Sequence, residues 1–328
     1  MNEVVLGTIG SGVIVHSILD NVKRTDGVRL GAVYSRTVEK GTALAEEYGC
    51  NKVYTDLSEF LADEELNTIY IATPNLVHYG QVKQALTAGK HVWCEKPFCT
   101  RPEEAEELLS LAKEKNLMIV ETAPTTFLPN YRILQEQLPK IGRIRLVLAS
   151  YSQYSSRYDL LKAGEVPNIF NPEFAGGALM DINLYNVLLT VALFGQPDEV
   201  KYHANIYPSV QCDTSGVGVL DYPDFKAVLS GAKDTWGENF YQIQGEEGYI
   251  YINGANGLPS IKVVTKKTED VFNLQEDPDR WYYEIQELTR LFREEDRDAI
   301  NARHEIIINT VTTMAALRAS AGIRFPKD

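Results

Sequence analysis

Residues 4–15 read VVLGTIGSGVIV, an apolar run that passes through three glycines into a second apolar run. The first six residues have the nearly continuous hydrophobicity of a strand buried on both faces, and a helical pattern follows the glycines. Gly10 permits a tight turn, and Gly12 lets the main chain approach a pyrophosphate at the N-terminus of the helix. The stretch therefore predicts a βα unit that binds a dinucleotide. Val15 stands where a smaller residue would pack best, so a purely structural glycine turn is the alternative.

Four further apolar runs alternate with segments of helical period over the first 122 residues. Repeated βα units of this kind form a parallel sheet with helices on both faces. We therefore expect a doubly wound α/β domain of the Rossmann type over residues 1–122. The predicted strands after the first are Val28–Tyr34, Thr68–Ala72, His91–Trp93 and Leu117–Val120.

The rhythm changes after Glu121, which marks the predicted domain boundary. Strand candidates separated by turn signals run from Glu199 to about Phe272, and they indicate a mostly antiparallel sheet. We expect an α+β domain with a large open sheet over residues 123–328. Its predicted elements are helices at Tyr131–Leu138, Ala178–Phe194, Trp281–Glu295 and Ala302–Ala321, a long strand at Ile144–Tyr151, and an irregular segment from there to about Phe174.

The charge balance excludes several classes of partner. The chain has 32 Lys and Arg against 45 Asp and Glu, a net charge of −13, and such a surface repels nucleic acid and anionic lipid. No apolar run reaches the roughly 20 residues of a membrane span, and the N-terminus lacks a secretory pattern. We expect a cytoplasmic protein with no nucleic-acid or membrane partner. The five histidines and four cysteines show no metal-ligand spacing, so no metal site is predicted.

The second predicted strand is followed by Ser35 and Arg36, where an acidic residue would hold the ribose 2′-hydroxyl of NAD. A guanidinium pairs with a phosphate through several donors, so this pair of residues favours the 2′-phosphate of NADP. NAD stays possible, because Arg36 could also be a solvated residue at a strand end.

Two later strands end in ATPNLVH (residues 72–78) and CEKP (residues 94–97), at the edge where open α/β sheets bind ligands. Pro97 keeps Lys96 extended, and a partly desolvated amine near a cationic nicotinamide exchanges a proton more readily at neutral pH. Lys96 is therefore a candidate catalytic residue, and a surface lysine paired with Glu95 is the alternative. The predicted cofactor-binding residues are Gly7, Ile9, Gly10, Ser11, Gly12, Val13, Ser35, Arg36, Thr73, Pro74, Asn75, His78, Glu95 and Lys96.

In the second half, the stretch FAGGALMD (residues 174–181) leads into a helix that carries Tyr185. Asp181 and Tyr185 are four residues apart, so they share one helical face, where a carboxylate can orient a phenol. We take both as catalytic candidates. A core aromatic and a first-turn acid favoured by the helix dipole are the alternatives.

Together these motifs resemble the glucose-fructose oxidoreductase, inositol dehydrogenase and rhizopine catabolism family, Gfo/Idh/MocA. The resemblance rests on the glycine turn, residues 72–78, residues 94–97 and residues 176–181. It implies a Rossmann domain followed by a domain whose open sheet carries substrate on one side and a dimer partner on the other. A homodimer or a higher homo-oligomer is therefore expected.

The resemblance also implies roles and an activity. Lys96 matches the lysine that meets nicotinamide and substrate, and Asp181 matches the aspartate of the second-domain motif. Tyr185 falls where many members have histidine, and where members acting on dihydrodiols, xylose or glucose with NADP often have tyrosine. We expect a dehydrogenase that transfers hydride between NADP, or NAD, and a carbinol or carbonyl carbon of a sugar, polyol or trans-diol. Tyr185 or Lys96 would move the hydroxyl proton, and Asp181 would hold one of them in place.

Two other functions fit a chain that binds nicotinamide. A sensor would report redox or sugar state without turnover, but similar proteins that act as regulators tend to lack the lysine that Lys96 matches. A glycosidase that uses tightly held NAD for transient oxidation would leave the cofactor unchanged after each turnover. The dehydrogenase is the preferred interpretation.

Overall fold

A computed structural model describes residues 1–326 and 328 of the chain. These residues form two compact units. The first unit comprises Met1–Ala123 and Asp279–Ile308, and the second comprises Pro124–Pro278 and Asn309–Asp328. The first segment ends next to the boundary predicted from the sequence. Residues 279–308, which that prediction assigns to the second domain, belong to the first unit.

The first unit is built on a six-stranded sheet, and all its pairs of neighbouring strands are parallel. Its strands are β1 (Val4–Ile9), β2 (Val28–Tyr34), β3 (Val53–Tyr54), β4 (Thr68–Ile71), β5 (His91–Glu95) and β6 (Ile119–Thr122). Its first helices are α1 (Val13–Val22), α2 (Val38–Glu47), α3 (Leu57–Ala62), α4 (His78–Thr87) and α5 (Pro102–Glu114). The order β3-β2-β1-β4-β5-β6 reverses the direction of winding beside β1, where open α/β sheets bind ligands.

Three strands of this sheet differ from the prediction by two residues or more. β5 ends two residues later than predicted, at Glu95. β3 pairs with β2 over only two residues, too short a run to leave a hydrophobic pattern. β6 begins two residues later than predicted, because the N–H of Leu117 donates to the carbonyl of Ala112 at 2.8 Å and still belongs to the end of α5. The predicted doubly wound parallel sheet is confirmed.

The second unit is built on an eight-stranded sheet, in which all neighbouring pairs except β7 with β10 are antiparallel. The strands are β7 (Ile144–Ser152), β8 (Glu199–Tyr207), β9 (Cys212–Asp221), β10 (Lys226–Ala232), β11 (Phe240–Gly245), β12 (Gly248–Ile252), β13 (Ile261–Thr265) and β14 (Glu269–Phe272). The order is β14-β13-β12-β11-β7-β10-β9-β8, which confirms the predicted large, mostly antiparallel open sheet.

The helices of this unit are α6 (Pro129–Gln137), α7 (Ser156–Lys162) and α8 (Leu184–Phe194). Helix α7 lies in the segment predicted to be irregular, and the Ser155 side chain caps it by accepting the N–H of Arg157 at 3.3 Å. The predicted helix over residues 178–194 is interrupted, because Leu179–Asn183 forms a π-helical turn before α8 begins. Single π turns inside helices often occur at functional sites.

One stretch of the second unit, Pro172–Phe194, is long and apolar enough to cross a membrane by length and composition. Its most apolar window is 78% buried inside the protein. The core helix of a soluble protein passes the same test, so this stretch is weak evidence for a span. In the structure it packs against β7 and β10.

Two helices close the chain, α9 (Arg280–Glu294) and α10 (Arg297–Ser320). Helix α9 buries Ile285, Leu288 and Phe292 and packs on α1 and β1, which explains why it joins the first unit. Helix α10 begins five residues earlier than predicted, because the Asp296 carboxylate accepts the N–H of Ala299 at 3.2 Å and caps the helix there.

Candidate functional site

The glycine turn lies between β1 and α1. Gly10 has φ +127°, and a Cβ there would collide with the carbonyl oxygen of Ala72, so only glycine fits. Gly12 is the N-cap of α1 and supplies no side-chain cap, and a Cβ there would meet no atom within 4 Å. Val13 begins the helix with 80% of its surface exposed. An uncapped helix N-terminus that faces open space fits the pyrophosphate of a dinucleotide.

Other predicted cofactor residues lie around this turn with different exposure. Gly7 and Ile9 are buried within β1 and contribute to the core. Ser35, after β2, is buried, and its hydroxyl accepts the N–H of Thr37 at 3.3 Å. The neighbouring Arg36 is exposed. Of the two residues predicted to recognise a 2′-phosphate, the arginine is thus the one whose side chain reaches solvent.

The ends of β4 and β5 are joined by His78, which is fully buried. Its Nδ1 lies 2.9 Å from the carbonyl oxygen of Pro97, and its Nε2 lies 2.8 Å from the carbonyl oxygen of Thr73. Burial is the main cause that lowers the pKa of His78. The imidazole therefore lies between the Thr73 turn and the Lys96 turn, and in its neutral form it donates a hydrogen bond to one of the two carbonyl oxygens. Thr73, Pro74, Asn75 and Lys96 remain partly exposed there.

Two buried carboxyl groups flank the Lys96 turn. Glu95 accepts hydrogen bonds from the hydroxyls of Tyr70 at 2.9 Å and Thr122 at 2.8 Å. Glu121, on β6, accepts the N–H of Phe98 at 2.7 Å. Burial raises the pKa of Glu95, and it raises the pKa of Glu121 to about 7, while the charge of Lys96 acts in the opposite direction on both. The lysine thus stands next to two carboxyls that are costly to ionise.

A third carboxyl, Glu284, reaches the same region from α9. It is fully buried, and neither of its oxygens has a hydrogen-bond partner in the part of the chain that the structure describes. Burial, followed by the charge of Glu95, raises its pKa well above the usual range. Sequence reasoning missed Glu284 because it lies on a helix about 190 residues from the Lys96 turn and belongs to no motif.

In the second unit, Asp181 lies in the π-helical turn and forms an ion pair with Lys233, which directly follows β10. The Lys233 Nζ lies 2.5 Å from Asp181 Oδ2. The lysine side chain is 6% exposed and the aspartate side chain 29% exposed. Sequence reasoning found Asp181 and missed Lys233, whose only signal is its place directly after the strand β10.

Tyr185 lies one turn along, in α8, and is nearly buried. Its ring packs against that of Tyr151 with centroids 5.9 Å apart, and the Tyr151 hydroxyl accepts a hydrogen bond from Asn256 at 2.7 Å. Asn183, between the two candidates, donates to the carbonyl of Leu229 at 3.1 Å and so ties the π turn to β10. Asp181 and Tyr185 are brought to one helical segment, as predicted, and Lys96 lies in the first unit.

The second glycine of the double-glycine motif, Gly176 and Gly177, lies against Asp213. Asp213 is a buried residue that sequence reasoning also missed. Gly177 has φ +131°, and a Cβ there would collide with Asp213 Oδ1. The Asp213 carboxylate accepts the N–H of Leu179 at 2.7 Å and the hydroxyl of Tyr202 at 2.8 Å. Burial raises its pKa to about 6. The glycine thus makes room for a carboxylate of the protein that anchors the start of the π turn.

Comparison with known families matches both halves of the chain. Residues 4–122 match the family model described as an oxidoreductase family with an NAD-binding Rossmann fold, and residues 137–251 match the GFO/IDH/MocA C-terminal domain. The predicted Rossmann domain and the predicted family are both confirmed.

Individual proteins agree with the family models. The chain is 36% identical over 323 residues to scyllo-inositol 2-dehydrogenase (NADP(+)) IolU of Bacillus subtilis (strain 168), with 98% of each chain covered. It is 27% identical over 241 residues to trans-1,2-dihydrobenzene-1,2-diol dehydrogenase of Xenopus tropicalis, with 72% of this chain and 70% of the relative covered. The fold is similar to the crystal structure of KijD10, a 3-ketoreductase from Actinomadura kijaniata in complex with NADP and TDP-benzene, with a TM-score of 0.84, 21% identity, and 97% of this chain and 98% of that chain covered. From the matching domains and the full-length relative, the chain belongs to the GFO/IDH/MocA family of NAD(P)-dependent oxidoreductases.

Proposed function

We propose that this oxidoreductase is an NADP-dependent dehydrogenase that oxidises one carbinol group of a polyol, with an inositol as the first substrate to test. The observation that carries the proposal is the 36% identity over nearly the full length to an NADP-dependent inositol dehydrogenase. Lys96, Asp181 and Tyr185 supply the polar groups that such a reaction requires. We place the protein in the cytoplasm, as expected from the sequence.

NADP fits the residues at the carboxyl ends of β1 and β2. The N–H groups at the start of α1, after Gly12, would hold the pyrophosphate. The exposed guanidinium of Arg36 would hold the 2′-phosphate. When bound, the nicotinamide supplies the acceptor for the hydride that leaves the carbinol carbon.

The protein's own part in the reaction is to orient the alcohol and to take its proton. As the hydride leaves the carbon, the hydroxyl proton must pass to a base, so that the alcohol becomes a carbonyl compound. Lys96 and Tyr185 are the two candidates for that base. Asp181, held by Lys233, remains an anionic acceptor that can orient a hydroxyl.

The outer face of the eight-stranded sheet supports a homo-oligomer. Val228 of β10 lies opposite Leu148 of β7 and Val219 of β9, so three apolar side chains sit side by side. All three are partly exposed, whereas the opposite face of the sheet is buried. We propose that this outer face joins two copies of the chain, which size-exclusion chromatography with light scattering would test.

The activity can be tested with inositols, sugars and trans-diols, each combined with NADP or NAD, by following the absorbance of reduced nicotinamide. We expect turnover with an inositol and NADP, and weaker turnover with NAD. A Lys96→Met variant that is expressed and purified in the same way controls for contaminating dehydrogenases. Hydrolysis of a glycoside without net reduction of cofactor would favour the glycosidase instead. Cofactor binding without turnover of any compound would favour a sensor.

A further inference from the structure

The ion pair between Lys233 and Asp181 is held more rigidly than an ion pair between exposed side chains. The main chain of Lys233 is fixed on both sides, since its N–H donates to the carbonyl of Thr214 at 2.8 Å and its carbonyl accepts the N–H of Ser155 at 2.9 Å. Its side chain is almost completely buried and ends 2.5 Å from Asp181. The ammonium has therefore lost most of its water and cannot move far from the carboxylate.

The neighbouring carboxylate does not compete for this lysine in the described contacts. Asp234 follows Lys233 directly, and its Oδ2 accepts hydrogen bonds from the hydroxyls of Thr214 at 2.7 Å and Ser215 at 3.0 Å. Two polar residues of β9 thus satisfy Asp234, and the charge of Lys233 is directed to Asp181. Among the described contacts at the end of β10, the ion pair of Lys233 is therefore the one with Asp181.

A buried ammonium is costly unless an anion pairs with it, so this arrangement favours the ionised form of Asp181 and fixes its orientation. A carboxylate in this state accepts hydrogen bonds but does not give up a proton. Asp181 keeps part of its surface exposed, one helical turn from Tyr185. Both properties suit a group that orients a reacting hydroxyl while another group takes the proton.

We propose that Lys233 is a positioning residue of the dehydrogenase site, which fixes the Asp181 carboxylate as the acceptor that orients the reacting hydroxyl. The inference rests on the proposed function, since it assumes that an alcohol is oxidised next to Asp181. It adds a residue to the site that neither the motif of residues 174–181 nor the resemblance to the family supplies.

The test compares Lys233→Met with Lys233→Arg. Misplacement of a catalytic constellation by about 1 Å can cost about 100-fold in rate, so we expect Lys233→Met to lower kcat about 100-fold with KM changed less than about threefold. Lys233→Arg keeps the positive charge and should recover at least a tenth of the wild-type kcat. The matched control is Lys83→Met, which removes an exposed lysine paired with Glu107 at 2.6 Å in the first unit and should leave kcat unchanged.

A double substitution separates positioning from a structural role. Groups that act as one unit are not additive, so Asp181→Asn with Lys233→Met should be no slower than Asp181→Asn alone. If the losses multiply, or if Lys233→Met keeps the wild-type kcat, the inference is overturned. If Lys233→Met fails to fold, Lys233→Arg decides, because a soluble arginine variant with less than a tenth of the wild-type kcat contradicts the proposal.

The proposed function and the proposed role of Lys233 are contradicted by different results. If the wild-type protein turns over no polyol with either cofactor, the proposed function is wrong. In that case the same variants are measured with whichever alcohol the panel identifies. If the wild type is active and Lys233→Met is equally active, only the role of Lys233 is wrong.

Discussion

The surroundings of Lys96 in the first unit and of Asp181 in the second unit treat buried charge in opposite ways. In the first unit, Glu95, Glu121 and Glu284 are buried near the Lys96 turn, and burial is the largest cause that raises the pKa of each. In the second unit, the carboxylate of Asp181 is paired at 2.5 Å with the buried ammonium of Lys233. In the first arrangement burial disfavours the ionised carboxylates, whereas in the second an opposite charge offsets the cost of burial.

This difference suggests a division of labour. A proton carrier must change its protonation state during each turnover, and Glu121, whose pKa burial raises to about 7, is a neighbour that can change its charge near neutral pH. A group that orients substrate must keep one state, and an ion pair provides that. We therefore expect proton transfer to depend mainly on the first unit and orientation on the second.

The largest expected effect concerns the first unit and tests whether Lys96 carries the proton. Replacing Lys96 by Met removes the amine but keeps a side chain of similar length. General acid-base catalysis is typically worth about 10² to 10⁴ in rate, so kcat should fall by that factor. NADP should still raise the melting temperature of the variant, because the glycine turn is untouched.

Tyr185→Phe is the matched substitution in the second unit, since it deletes only a hydroxyl. If Lys96 carries the proton, this variant should lose less turnover than Lys96→Met under the same conditions. A larger loss in the tyrosine variant would move proton transfer to the second unit and contradict the division of labour. A Lys96→Met variant that kept its kcat within tenfold of the wild-type value would also contradict the division of labour.

A smaller effect concerns stability rather than rate. The pKa of Glu121 is raised by burial from 4.5 to about 7, so its protonated form stabilises the fold below pH 4.5, and this contribution is lost as the pH rises through 7. Each pKa unit is worth about 1.4 kcal/mol, so the loss is about 3 kcal/mol. Glu121→Gln cannot ionise and can still accept the N–H of Phe98. The variant should therefore gain stability relative to wild type between pH 5 and pH 8.

Urea unfolding at a series of pH values measures this gain. Glu106→Gln on α5 is the control, because Glu106 is exposed and its substitution should leave the pH profile as it is in the wild type. A difference between Glu121→Gln and wild type that stays constant from pH 5 to pH 8 would show that Glu121 does not titrate in this range. The contrast between the two units would then disappear.

The parts of the fold that local pattern determines were predictable from the sequence. The alternation of apolar runs and helical segments predicted the parallel sheet, and turn signals predicted the antiparallel one. The candidate site residues were found only where they belong to a contiguous motif, as the glycine turn and residues 94–97 do. Their roles remain predictions.

What the sequence could not supply depends on contacts between distant residues. Lys233 meets Asp181 across 52 positions, and Glu284 reaches the Lys96 region from a helix near the other end of the chain. Neither residue has neighbours along the chain that distinguish it from a surface charge. Similarly, α9 belongs to the first unit because its buried face packs on α1, and hydrophobic periodicity does not specify which partner a helix covers.

The smallest expected effect concerns an exposed charge. Arg36 is exposed at the end of β2, and a contact between its guanidinium and a 2′-phosphate would be screened by solvent and salt. A charge-assisted hydrogen bond of this kind is worth about 1.5 to 3 kcal/mol at most, so Arg36→Ala should raise the KM for NADP about tenfold. The KM for NAD, which lacks that phosphate, serves as the internal control and should not change, and neither should kcat.

The difference between the KM values for the two cofactors should shrink as salt is added, because exposed charges are screened. Two results would contradict this role of Arg36: an equal increase of the KM for NADP and the KM for NAD in Arg36→Ala, or a difference between the two cofactors that does not change with salt. Arg36 would then act on the glycine turn rather than on the phosphate. The preference for NADP would need another source.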